Sequence, residues 1–136
     1  MDKQNLVSTM KEQHKGLQAD LMSLTEVLLG GIIVGGLEKF KSDLTGHLSL
    51  ENETFYVQLL EKMREKGMDT KNTETFIASM NDIAKVVMEF LNKYGDVGFV
   101  SENIDEFKQD LQGIIKALNV RIESEEDGVY EEFLII

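Results

Sequence analysis

The chain of 136 residues has no cysteine, no proline and no tryptophan, and only two histidines. Without cysteine there is no disulfide, no thiolate metal ligand and no thiol nucleophile. Without proline, nothing in the chain breaks a helix by ring clash or a missing N–H. Cations are scarce as well: 14 Lys and Arg stand against 25 Asp and Glu, a formal net charge of −11. Nucleic-acid surfaces need clustered Lys or Arg, and anionic lipid attracts the same residues, so neither partner is expected. The longest apolar stretch, Val27 to Leu37, is interrupted by four glycines and is too short for a bilayer span. The polar start, Met1 to Asn5, runs straight into an amphipathic segment and does not read as a signal peptide. No phosphate-binding glycine loop and no nucleophile beside a histidine is visible, which leaves hydrolytic or phosphoryl-transfer chemistry without support. The expectation is one cytoplasmic domain over residues 1–136.

What the chain does have is apolar residues at alternating three- and four-residue steps, the period of a helix with one buried face. Four helical segments are read this way, at about 3–29, 36–66, 73–94 and 102–131. Gly30-Gly31, Gly67 and Gly95 stand where helix C-caps belong, while Asn72 or Thr70, and Ser101, stand where N-caps belong. The connections are short, so sequential helices should lie antiparallel, giving an all-α, up-down-up-down four-helix bundle. The apolar segment 30–36 then reads as a turn folded over one end. The tail Phe133 to Ile136 reads as packed on the bundle or, as the other option, as a dimer contact.

Three of the stripes are interrupted. The first runs Val7, Met10, His14, Leu17, Leu21, the second Leu37, Phe40, Leu44, His47, Glu51, Phe55, and the last Ile114, Leu118, Arg121, Glu125, Val129. A buried ionisable group is costly unless it is paired or binds a metal. In an antiparallel hairpin turning near residue 32, position 14 lies level with about position 50, so His14, His47 and Glu51 share one height. Arg121 and Glu125 repeat the one-turn spacing on the last helix. The third helix offers Met80, Ile83 and Val87 and is expected to close the layer with hydrocarbon. The acidic run 123–127 reads as a solvated face apart from Glu125. Two imidazoles and two carboxylates suit iron, manganese or zinc.

The runs Glu12-Gln13-His14, Gly46-His47-Leu48-Ser49-Leu50-Glu51 and Arg121-Ile122-Glu123-Ser124-Glu125 resemble those of hemerythrin-type domains, as do Phe55-Tyr56 and Tyr130. That resemblance covers essentially the whole chain. It implies a non-haem iron centre, usually two carboxylate-bridged irons, and roles in binding or sensing oxygen, iron or nitrosative stress. Two family histidines are missing: the third helix has none, and Arg121 stands at the helix-four position. What remains, His14, His47, Glu51 and Glu125, resembles the ligands of a single iron. Arg121 is expected to replace the second ion and to hold Glu51 or Glu125 by bidentate hydrogen bonds. The resulting expectation is a one-iron sensor or binding domain with a small diatomic ligand such as oxygen, and with a protein partner or homodimer as further options. The alternative is a metal-free interaction module in which Arg121, Glu51 and Glu125 form an internal salt-bridge layer. A small one-iron enzyme is the weakest option.

Overall fold

The computed structural model describes residues 2–136, and all regular structure among them is helical. Helix α1 (Lys3–Met22) opens on Asp2, whose carboxylate accepts the Asn5 backbone N–H at 2.7 Å. Helix α2 (Gly30–Leu50) runs into a π-helical turn at Glu51–Phe55 and on into α3 (Tyr56–Glu65). Then come α4 (Lys71–Lys93), the short α5 (Val97–Glu102) and α6 (Ile104–Ser124). A second π-helical turn, Glu125–Val129, leads to α7 (Tyr130–Ile135). No described helix is long and apolar enough to cross a membrane.

The expected turn at 30–36 is instead the first part of α2, and α1 ends well before Leu29. These glycines mark close approach. A Cβ on Gly30 would lie 2.2 Å from Ser101 Oγ and 2.9 Å from the Val97 carbonyl, and one on Gly36 would lie 2.6 Å from the Leu24 side chain. The start of α2 is thereby pressed against α5 and against the buried Leu24. Helix α6 likewise begins after α5, so Ser101 lies inside a helix and Asn103 takes the N-cap position. Gly67 does behave as read: its φ is +69°, and Met68 N–H to Met63 C=O with Gly67 N–H to Arg64 C=O closes a Schellman motif.

Contacts between helices run in opposite residue order. Along α1 and α2, Leu24 meets the Gly36 position, Asp20 pairs with Lys39 and Gln13 with His47. Between α1 and α6, Leu24 C=O accepts from Lys108 and Gln18 bonds Asn119. Between α4 and α6, Lys93 reaches Glu106 and Asp110 while Ser79 meets Arg121. The α1–α2 reversal is centred on residue 30, since Leu24 faces Gly36. That puts His14 opposite His47 rather than opposite residue 50.

The apolar interior is split in two. One cluster, including Leu17, Leu21, Phe40, Phe90, Phe107 and Leu118, fills the end near the α1–α2 turn. The other, including Leu6, Met10, Phe55, Leu59, Tyr130 and Phe133, fills the opposite end. Buried between them along the chain are His14, His47, Glu51, Arg121 and Glu125.

Candidate metal centre

Each polar side chain is delivered by an element whose neighbouring turns are anchored in apolar packing. His14 lies between Met10 and Leu17 on α1, and His47 follows Leu44 on α2. Glu51 and Glu125 each open a π-helical turn. Such a turn is wider than an α-turn and commonly marks functional positions. Here it brings consecutive residues inward, so Phe55 with Tyr56, and Val129 with Tyr130, are all buried.

One donor atom from each of His14, His47, Glu51 and Glu125 lies within 4.8 Å of every other, and all four residues are buried. The two Nε2 atoms are 3.1 Å apart. Glu125 Oε1 is 3.2 Å from His14 Nε2, and Glu51 Oε2 is 3.5 Å from His47 Nε2. The Tyr130 hydroxyl donates to Glu51 Oε2 at 2.9 Å and lies 3.2 Å from His14 Nε2. Glu51 Oε1 is buried and has no hydrogen-bond partner.

The other side of the layer belongs to Arg121. Its Nε donates to Glu125 Oε2 at 3.4 Å, and one terminal nitrogen donates to Phe76 C=O at 2.9 Å and Ser79 Oγ at 2.8 Å. The second terminal nitrogen donates to the Tyr56 hydroxyl at 3.3 Å, which itself donates to Glu125 Oε2 at 3.0 Å. The guanidinium also stacks 3.7 Å above the Phe76 ring. Two expectations are corrected by this. Arg121 holds Glu125 by one long bond rather than gripping it or Glu51 bidentately, because its terminal nitrogens are spent on α4 and on the Tyr56 hydroxyl. And α4 closes the layer with a carbonyl, a hydroxyl and an aromatic face, not with hydrocarbon alone.

Electrostatics divide the two glutamates. Burial pushes the Glu51 carboxyl up, Glu125 adds to this, and His47 opposes it. Burial acts the same way on Glu125, but the hydrogen bond with His14 and the charges of Arg121 and His14 outweigh it and leave that carboxyl lowered. His14 is lowered by burial and raised more strongly by Glu125 and Glu126, for a net rise. Both buried phenols, Tyr56 and Tyr130, are pushed far up by burial and stay neutral.

Sequence reasoning did not assign Gln13, Ser79, Phe76 or Glu126 to this layer. Gln13 Oε1 lies 2.8 Å from His47 Nδ1, and Glu126 Oε2 lies 2.7 Å from His14 Nδ1. Glu126 was placed on the solvated face because α-helical spacing turns it away from Glu125. The π-helical turn, which no residue pattern announces, brings it back.

Two buried imidazoles and two buried carboxylates converging between helices form a candidate cation site. Residues 5–133 match the family model of the Hemerythrin HHE cation binding domain, and the chain belongs to that family. Comparison with curated proteins and with solved structures gave no match.

Proposed function

We propose that this chain is a single hemerythrin-like domain that binds one metal ion, iron, at His14, His47, Glu51 and Glu125. It would do so within an up-down-up-down antiparallel four-helix bundle and act in the cytoplasm as a sensor or binding domain for oxygen, redox or iron state. The observation that carries this reading is the convergence of four buried donors with one carboxylate oxygen, Glu51 Oε1, left without a partner. An unsatisfied buried acceptor is rare in native proteins and calls for a donor or a cation. The spacing agrees, since two nitrogens about 2.1 Å from a common ion and adjacent in its coordination sphere are roughly 3 Å apart. Two histidines with carboxylates is a recurring set for ferrous iron with open positions.

When bound, iron would supply a one-electron couple and an open position for a small diatomic ligand. The chain's own residues do the rest. Arg121 places its cation against Glu125 Oε2, the oxygen turned away from the imidazoles. In this reading Arg121 would supply the positive charge that a second metal would otherwise bring to that carboxylate. Tyr56 holds Glu125 Oε2 and Tyr130 holds Glu51 Oε2, each by a neutral hydroxyl donor. The flanking apolar clusters cover the layer at both ends.

A second reading is favoured by the Arg121–Glu125–His14 contacts. These partly neutralise the layer without an ion and suit a metal-free interaction module. One measurement separates the two readings. Protein purified without chelator should carry about one equivalent of metal by elemental analysis. His47→Ala should remove it while the helical circular dichroism spectrum is kept. A parent protein that stays metal-free after incubation with ferrous or cobaltous ion supports the interaction module and overturns the metal reading.

A further inference from the structure

We propose that Glu126 and Gln13 are positioning residues that fix the tautomers of His14 and His47, so that both Nε2 lone pairs point into the donor ring. Each imidazole touches the layer through Nε2 and is held from behind through Nδ1. Behind His14 stands the Glu126 carboxylate at 2.7 Å, and behind His47 stands the Gln13 side-chain oxygen at 2.8 Å. A carboxylate can only accept, and Gln13 presents its accepting atom, so each Nδ1 must carry the proton. A neutral imidazole protonated at Nδ1 has its free pair at Nε2.

The opposite tautomer has a satisfied alternative in this layer, and for that reason it must be suppressed. With the proton on Nε2, His14 would donate to Glu125 Oε1 at 3.2 Å or to His47 Nε2 at 3.1 Å, and His47 could turn toward Glu51 Oε2 at 3.5 Å. These arrangements would pair the donors internally and close the ring to a cation. The two acceptors behind the rings oppose that closure. Glu126 reaches His14 only through the local backbone. Adjacent residues on an α-helix diverge by about 100°, yet Glu125 and Glu126 address opposite nitrogens of one ring from the π-helical turn. The backing is unequal: His14 is backed by an anion and His47 by a neutral amide.

The purpose assigned to these tautomers rests on the metal reading above, but the tautomers themselves can be measured without metal. Nitrogen-15 long-range correlation spectra of the full chain, recorded in chelator over a series of pH values, report which nitrogen carries hydrogen. The parent should show Nδ1–H for both rings. Glu126→Ala should move His14 toward Nε2–H and leave His47 unchanged, and Gln13→Ala should do the converse. Glu126→Gln, which keeps an accepting oxygen, should restore Nδ1–H at His14. Cobalt(II) titration should then show affinity falling roughly 10–100-fold in Glu126→Ala and recovering in Glu126→Gln. An Nε2–H tautomer at His14 in the parent, or an unchanged His14 in Glu126→Ala, overturns the proposal. Expected tautomers with no cobalt uptake by the parent would uphold the positioning role and sink the metal reading instead.

Discussion

Glu125 and Glu51 are the same residue type at equal depth, and they carry unequal burdens. Both oxygens of Glu125 are engaged, one by His14 and one by Arg121 and Tyr56. Glu51 has one oxygen bonded to Tyr130 and one bonded to nothing. Removing the charge from Glu125 leaves a buried guanidinium without its counter-ion, a loss that costs about 3 kcal/mol or more. Removing it from Glu51 discards a charge that His47 alone opposes, and only across 3.5 Å. In chelator, Glu125→Gln should therefore lower the urea-melt stability by about 3 kcal/mol, and Glu51→Gln by less than about 1 kcal/mol. Equal losses for the two variants would contradict this division of roles. At this scale the sequence was most legible. His14, His47, Glu51, Arg121 and Glu125 stood out because each broke an apolar stripe, and all five are buried. Gln13, Ser79 and Glu126 broke no stripe, since each lies at the edge of the layer, and so gave no signal.

At the scale of elements, glycine was read one way and acts in two. Gly30 reads as a chain breaker and Gly36 as the start of the second helix, yet both lie in the first two turns of α2, where a side chain would strike Ser101, the Val97 carbonyl or Leu24. Sequence shows that a glycine is present, not which neighbour needs the missing Cβ. Gly46 and Gly113 are the opposite case: both lie inside helices, and a Cβ at either meets nothing within 4 Å. Close packing is thus not their reason. Gly46→Ala and Gly113→Ala should each stabilise the protein by about 0.5–1 kcal/mol through helix propensity. Gly36→Ala should destabilise it, because the Leu24 side chain must move out of a filled core. Thermal melts of the three variants check this, and a stabilised Gly36→Ala would refute the packing account of α2. The π-helical turns were equally illegible. Glu51 and Glu125 fell on α-helical stripes, and only the paired burial of Phe55 with Tyr56 and of Val129 with Tyr130 reveals the wider turn.

For the whole molecule, the pattern of all-helical structure with a polar layer was legible because hydrophobic period, missing proline and interrupted stripes agreed. The division of the interior into two apolar clusters was not, since it depends on which stripes meet. The cluster near the α1–α2 turn holds a titratable group of its own, Tyr94. Its ring is fully buried, and its hydroxyl donates to Asp110 Oδ2, to which Lys93 also donates at 2.9 Å. Burial, helped by the Asp110 bond, pushes the Tyr94 phenol up to about 12, against about 10 in an unfolded chain. Below pH 10 or so both states hold the proton and the contribution to stability is fully present. Between about 10 and 12 the unfolded chain gives the proton up and the folded one keeps it, so stability falls as pH rises. Tyr56 and Tyr130 are shifted in the same direction and add to that loss from the polar layer. Tyr94→Phe should remove only its own share, making the decline shallower by up to one proton without abolishing it. Urea melts of parent and variant at several alkaline pH values measure the two slopes. Identical slopes would mean that the Tyr94 phenol ionises as freely in the folded protein as in the unfolded chain.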